Sequence, residues 1–343
     1  MALQKPKILL VGDVPYWAFY YMSEFVKQEL GYKYDFYMDY CIFYQNANHI
    51  EEKSLWKPQL RKLRTYLNNL KYYHKRRVLS HHQKYDLICY LGWYLPHIYD
   101  FKIEGDRIIQ GIFSDGFPPQ GPGLEIDPRI EIPEFVYKYL GNAVAVICGS
   151  KTIYERFQKH VKSYYCTGAI DTEMFRPCAR NQSDKNFFMV GWTGNPNRSF
   201  KGFYDFVIPA VEKAASMRKG IRLKTRFKGP YRTLPGFYRD VDVLLIASSA
   251  DAGPSSFLEA GACGIPSIST RVGFPAEVIK DGENGLFVNR SVEEMVRALI
   301  YLYDHREHLG RMSEQIRLDI DNNWGYQSRS RFWDLMFEAS LAC

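Results

Sequence analysis

No Cys-x-x-Cys pair occurs in the 343 residues, and the seven cysteines, at positions 41, 89, 148, 166, 178, 263 and 343, share no metal-ligand or disulfide-framework spacing. They read as reduced, buried small side chains. No stretch approaches ~18 uninterrupted apolar residues, so no membrane-spanning helix is expected. The early apolar run at 7–14 is also too short for a secretion leader and ends in a turn at Pro15. Internal repeats and low-complexity tracts are missing as well, which excludes solenoids and arrays. These absences together predict a cytoplasmic globular protein, with a peripheral position at the inner membrane face as a variant.

The length exceeds what one hydrophobic core usually serves, so two domains of roughly 150–180 residues are expected. The composition is that of a globular chain, 46% hydrophobic and 24% charged, made unusual by 26 Tyr and 22 Phe. The formal charge of +7 is concentrated: ten Lys and Arg lie between Lys53 and Lys84 with no Asp or Glu among them, so the rest of the chain is net acidic. In that segment Leu60, Leu63, Leu67 and Leu70 recur at helical spacing, with Arg61, Arg64, Lys71 and Lys75 mostly off the leucine face. Trp56, Tyr66, Tyr72 and Tyr73 are interleaved with the cations. Such a segment fits an anionic acceptor or surface: a membrane, an anionic glycan or nucleic acid.

Short β-rich runs alternate with helical stretches, the pattern of parallel α/β sheets. Strands are expected at 7–14, 34–39, 85–91, 107–113, 143–148 and 163–167, then at 186–192, 222–227, 242–247, 265–270 and 285–288. Ser291-Val-Glu-Glu294 is a capping box opening a helix to about Asp304. Hydrophobic periodicity breaks at 171–185, predicting an N-terminal domain over 1–172, a second over 173–325, and a C-terminal helix over 326–343. Phe332, Leu335, Met336 and Ala339 would form that helix's packing face, against the first domain.

In open α/β sheets ligands bind beyond the carboxyl ends of the strands. The segment Ser248-Ser-Ala-Asp-Ala-Gly-Pro-Ser-Ser-Phe-Leu-Glu-Ala-Gly-Ala-Cys-Gly264 follows a buried strand and is expected to open a helix at Pro254. The N–H groups of Ser255 and Ser256, after the Gly253-Pro254 turn, would meet an anion such as a diphosphate. Asp251 and Glu259 flank that helix start, and carboxylates accept hydrogen bonds from sugar hydroxyls.

Two acids separated by seven residues in this setting resemble the family 4 glycosyltransferases. The resemblance continues through Gly264-Ile-Pro-Ser-Ile-Ser-Thr-Arg-Val-Gly273, Asp281-Gly-Glu-Asn-Gly-Leu-Phe287, Gly168-Ala-Ile-Asp-Thr-Glu-Met-Phe-Arg-Pro177 and Phe237-Tyr-Arg-Asp-Val-Asp242, covering about 143–310. It implies a GT-B fold, two Rossmann-like parallel-sheet domains facing a cleft, and transfer of sugar from a nucleotide diphosphate with retention of anomeric configuration. By the same resemblance Glu259 holds the donor ribose and Asp251 the transferred sugar. In Val190-Gly-Trp-Thr-Gly-Asn-Pro-Asn-Arg-Ser-Phe-Lys-Gly202, Lys201 aligns with the lysine that neutralises the leaving diphosphate. Gly194 lies in the glycine-rich turn, and Arg198 stands in for an arginine whose usual position Trp192 occupies.

The family's histidine before an aspartate is replaced by Ser114-Asp115, with His97 as a substitute of little standing, and Asp251 is one methylene shorter than the usual Glu. The expected donor is a UDP- or GDP-sugar, with no cofactor and no metal; Asp240 and Asp242 are the only pair that would tempt a metal reading. The acceptor, a surface glycan, a lipid-linked molecule or nucleic acid including modified DNA bases, would be held mainly by residues 1 to about 165. The rival readings are a nucleotide-sugar epimerase and a sugar-nucleotide-binding protein without catalysis.

Overall fold

The structure, a computed structural model, describes residues 4–13, 18–40, 84–98, 103–119, 121, 124–178 and 187–342. The basic segment 53–84 lies outside the described residues except for Lys84, which pairs with Asp106 at 2.6 Å.

Two compact units emerge. Unit 1 comprises the chain up to Gly149 with Ile153–Cys166 and the residues from Ser330 on; unit 2 comprises Ser150–Thr152 and Thr167–Arg329. Each is built on one parallel sheet. The first holds β1 (Lys7–Gly12), β2 (Asp35–Tyr40), β3 (Leu87–Tyr90), β4 (Ile108–Ile112), β5 (Ala145–Cys148) and β6 (Ser163–Tyr165) in the order β2-β1-β3-β4-β5-β6. The second holds β7 (Phe188–Thr193), β8 (Ile221–Arg226), β9 (Val243–Ile246), β10 (Ser267–Ser269) and β11 (Leu286–Phe287) in the order β11-β10-β9-β7-β8. All eleven fall within the expected runs to within a few residues.

Burial explains why these runs are strands. Val243-Leu-Leu-Ile246 is buried throughout, as a central parallel strand covered on both faces must be. Val243 and Leu245 join one core cluster while Leu244 and Ile246 join another, so side chains alternate into two apolar layers. At the edge, Ile221-Arg-Leu-Lys-Thr-Arg226 keeps charged residues on its outer positions, which discourages edge-to-edge pairing.

The two strand orders share one consequence. In the first sheet the chain passes from β1 to β2 on one side and returns to β3 on the other; in the second it passes from β7 to β8 and returns to β9. The direction of winding reverses between β1 and β3 and between β7 and β9, and the loops leaving those strand pairs diverge to open a crevice.

The helix Val292–Asp304 begins as expected, with Ser291 Oγ accepting from Glu294 N at 3.4 Å. The last helix, Tyr326–Leu341, carries residues of unit 1, but on a different face from the one its sequence indicated. Trp333, Met336 and Phe337 are buried, whereas Phe332 and Leu335 are exposed. Both sets have helical spacing; the larger aromatic pair wins because it stacks on Phe25, Tyr34 and Phe36. Asp334, on the same side, accepts from Lys33 Nζ and Tyr34 Oη, both at 2.8 Å.

Candidate functional site

Unit 2 brings the candidate site residues Lys201, Asp251 and Glu259 together at the β7/β9 reversal. β9 is followed by buried Ala247 and Ser248, the chain loops through Asp251, and the helix Ser255–Ala262 starts one residue later than expected, with Pro254 as its N-cap in an extended conformation. The Phe257 N–H is taken by the Pro254 carbonyl at 2.9 Å, while the Ser255 and Ser256 N–H groups precede any helical acceptor. They sit where the helix dipole favours an anion.

Close backbone packing holds the loop. Gly273 has φ +38, and a side chain there would run into the carbonyl oxygens of Asp251 and Ala252. At Gly253 a side chain would meet the ring of Phe274. The loop that carries Asp251 is therefore pinned from the β10 side, which limits its freedom before any ligand arrives.

Lys201 closes a short 3-10 turn, Ser199–Lys201, after β7, and its Nζ lies 2.8 Å from Asp251 Oδ2; both side chains are largely buried, at 18% and 16% exposure. Gly194, at φ +146, leaves room beside the Lys201 side chain. Arg290 fixes the turn to β9 by donating to the carbonyls of Ala247 at 2.9 Å and Ser199 at 3.3 Å. Lys201, Thr193, Pro254 and Ser256 line one small void of 10 Å³, about one water in size. Arg198 is exposed and takes no part in this group; its backbone N–H bonds Asn195 O at 3.3 Å.

Glu259 lies in the second turn of the helix, 4% exposed, and accepts from Tyr238 Oη at 2.6 Å. Burial pushes its carboxyl up to about 7, against the opposing effects of the Tyr238 hydrogen bond and the charges of Arg226 and Lys201. Burial and the neighbouring Glu259 also hold the Tyr238 phenol well above its usual range.

Tyr238 and Arg226 were not singled out by the sequence. Arg226 ends β8 opposite Thr193, a basic residue at a strand terminus beside the reversal, and that position was the available signal. Tyr238 lies in the segment Phe237 to Asp242 that carries part of the family resemblance, but no role could be read for it there, because its pairing with Glu259 joins two segments 21 residues apart through tertiary packing. Asp240 and Asp242 are structural: Asp240 accepts from Lys224 at 2.8 Å, and Asp242 accepts from Met189 N at 2.6 Å and Arg306 at 3.2 Å. Among the described residues no group of three potential metal ligands occurs. His97, exposed, contacts Tyr139 O at 3.2 Å.

Unit 1 has its own crevice at the β1/β3 reversal, a cavity of 630 Å³. Asp13, Trp93, Tyr94, Phe113 and Ser114 are among the residues that line it.

Comparison with known proteins bears out the family likeness over part of the chain. Residues 210–319, all in unit 2, match the family model described as glycosyl transferases group 1. A D-inositol 3-phosphate glycosyltransferase from Arthrobacter sp. is 31% identical over 130 residues, 38% of this chain and 30% of the relative. A second, from Paenarthrobacter aurescens, is 34% identical over 23% of this chain and 21% of its own length. The chain thus matches less than a third of the length of these curated relatives.

Solved structures extend the likeness to the whole fold. Sucrose-phosphate synthase from Thermosynechococcus elongatus superposes with a TM-score of 0.70 at 14% identity, covering 98% of this chain and 100% of that one. Anabaena HepE in complex with UDP gives 0.61 at 11% identity over 97% and 100%. The fold is GT-B, with two parallel-sheet α/β units. Among the described residues no helix is long and apolar enough to cross a membrane.

Proposed function

We propose that this chain is a retaining glycosyltransferase that moves a sugar from a nucleotide-diphosphate sugar to an acceptor hydroxyl. One observation carries the reading: Lys201, Asp251, Glu259 and the Ser255-Ser256 N–H groups converge at the strand-order reversal of the unit that matches the glycosyl transferases group 1 model. The donor diphosphate lies on the helix start, with Lys201 neutralising it and Arg198 acting on it through solvent from the exposed turn. Glu259 holds the ribose and Asp251 the hydroxyls of the transferred sugar. UDP is favoured as the carrier because HepE, of the same fold, was solved with UDP.

Lys201 and Asp251 satisfy one another in the structure. Donor binding separates them, the phosphate taking the ammonium and the sugar hydroxyls taking the carboxylate. The bond between the anomeric carbon and the β-phosphate oxygen then breaks, with its electrons going to the phosphate. The acceptor oxygen bonds to that carbon on the same face, and its proton passes to the departing phosphate. Lys201 and the helix N–H groups stabilise the developing charge without a metal.

The test is release of nucleotide diphosphate from a panel of UDP- and GDP-sugars with sugar acceptors present, followed by NMR of the product's anomeric configuration. Retained configuration and dependence on acceptor are expected. Donor turnover without acceptor would instead indicate an epimerase. If no donor binds, and Glu259→Gln changes no binding measurement, the reading fails.

A further inference from the structure

Unit 2 carries a concentration of positive charge of its own, all of it within the described residues. Between Arg218 and Arg239 there are eight Lys and Arg and no Asp or Glu. The segment leaves the helix Ile208–Met217, forms β8, and turns through Tyr231–Thr233 into the short helix Leu234–Tyr238. β8 is the last strand in the order β11-β10-β9-β7-β8, so these cations gather along one edge of the unit. Charge of either sign keeps an edge strand from pairing with another chain. A run of one sign, extending past both ends of the strand, asks for a further reason.

Three of the eight are neutralised nearby. Arg218 Nη2 lies 2.7 Å from Asp304 Oδ2, and Lys224 and Arg239 share Asp240, at 2.8 and 3.4 Å. Arg226 holds the following turn: its guanidinium donates to Pro230 O at 3.0 Å and to Thr233 Oγ1 at 2.6 Å. That leaves Lys219, Arg222, Lys228 and Arg232, all exposed and without an ion pair among the described residues. Arg222 is held in place, its guanidinium carbon 3.4 Å from the centroid of the Phe187 ring. Arg232 sits in the turn that Arg226 ties down. Cations so fixed lose less freedom when they meet a partner.

Large apolar side chains stand in the same strip. Met217, immediately before Arg218, is 55% exposed, and Phe227, between Arg226 and Lys228, is 45% exposed. The Phe227 ring is anchored on its inner side, its centroid 5.9 Å from that of Trp192 and 5.3 Å from that of Phe203. A polyanion such as nucleic acid matches the cations but offers Met217 nothing. The interface of an anionic bilayer matches both, with phosphates for the cations and the acyl-chain boundary for Met217 and Phe227.

We infer that the β8 edge of unit 2 docks on a negatively charged lipid surface, with Lys219, Arg222, Lys228 and Arg232 meeting lipid phosphates and Met217 and Phe227 entering the interface. The inference stands on this edge alone and does not depend on the glycosyltransferase reading. It is also independent of the basic segment 53–84. The β7/β9 crevice lies one strand in from the edge, so docking brings the candidate donor site close to the lipid.

The experiment sediments the full chain with vesicles of phosphatidylcholine alone and of phosphatidylcholine mixed with phosphatidylglycerol. Binding to the mixed vesicles only, weakening as salt is raised, is expected. Because segment 53–84 is basic as well, the site is read by difference. The combined variant Arg222→Glu, Lys228→Glu, Arg232→Glu should bind the mixed vesicles at least about tenfold more weakly. Phe227→Ser, which leaves the charge unchanged, should cost about threefold or more. Hydrogen exchange of the unsubstituted chain should slow in peptides spanning 217–239 when mixed vesicles are added.

Four results overturn the inference. The chain binds mixed vesicles no better than phosphatidylcholine; a charge-reversed variant that melts like the parent binds them as tightly as the parent; Phe227→Ser changes nothing; or exchange in 217–239 is unaltered by vesicles. Binding of a DNA duplex or heparin that the charge reversal abolishes, with vesicles ignored, gives the edge to a polyanion and overturns the bilayer. The exchange measurement needs no variant, so it decides even where the charge reversal fails to fold. Donor binding is scored separately: failure at the vesicles sinks this inference alone, and absence of donor binding sinks only the glycosyltransferase reading.

Discussion

The two crevices occupy equivalent places in their own sheets, at the reversal of strand order, yet their linings are opposite in kind. The β7/β9 crevice is ionic: Lys201, Asp251, Glu259 and Arg226 gather beside a helix start. Among the described residues the β1/β3 crevice is aromatic, with one carboxylate. Topology therefore decides where a ligand can sit, and the residues at the strand ends decide which ligand.

The largest effect that sharpens this contrast is expected at Asp251. Asp251→Asn should lower turnover by about 10²–10³-fold, the range for losing one aimed polar group in a transition state. Donor affinity should hold or rise slightly, because Lys201 is released from its 2.8 Å ion pair. Steady-state kinetics with a donor titration checks this, and an equal loss in affinity would break the division of roles between Asp251 and Lys201.

Next comes Glu259→Gln, expected to weaken donor binding by about 10–100-fold through loss of charge-assisted hydrogen bonds. The same variant should be more stable than the parent at pH 8. The Glu259 carboxyl titrates near 7 in the folded protein against 4.5 as its ordinary value, so between those pH values the folded state keeps a proton that the unfolded state has released. Its contribution is therefore most favourable below pH 4.5 and is lost as pH rises through 7, a swing on the order of 3 kcal/mol. Thermal unfolding without donor should show the two proteins alike near pH 4.5 and the variant ahead at pH 8; a difference independent of pH would mean that the carboxyl is not held against its burial.

Lys201→Ala should reduce donor affinity and turnover together, each by roughly tenfold. The smallest effect is expected at Arg198, whose exposed guanidinium acts through solvent: Arg198→Ala should cost about two- to threefold in donor affinity, and less at high salt. A loss at Arg198 equal to that at Lys201 would show that the exposed turn closes onto the diphosphate.

Much of the fold was legible because parallel strands buried on both faces leave continuous apolar runs, as in Val243-Leu-Leu-Ile246. The final helix was harder. Its two candidate faces, through Phe332 and Leu335 or through Trp333 and Phe337, have the same period, and only the aromatic partners in unit 1, Phe25, Tyr34 and Phe36, distinguish them. The candidate site residues were legible where they sit in one continuous segment, Ser248 to Gly264. Tyr238 and the aromatic cavity of unit 1 were not, since their members come from strands and helices far apart in the chain.

The sequence by itself determined two parallel α/β sheets, the helix start after β9, and the pair Asp251 and Glu259, because hydrophobic period and turn chemistry are local properties. Only the tertiary structure decided that Asp251 pairs with Lys201, that Glu259 is buried against Tyr238, and that Trp93 carries a buried N–H without a partner. Each of those depends on which strands lie side by side and on how deeply a side chain is withdrawn from water, and neither is encoded in any single stretch of the chain.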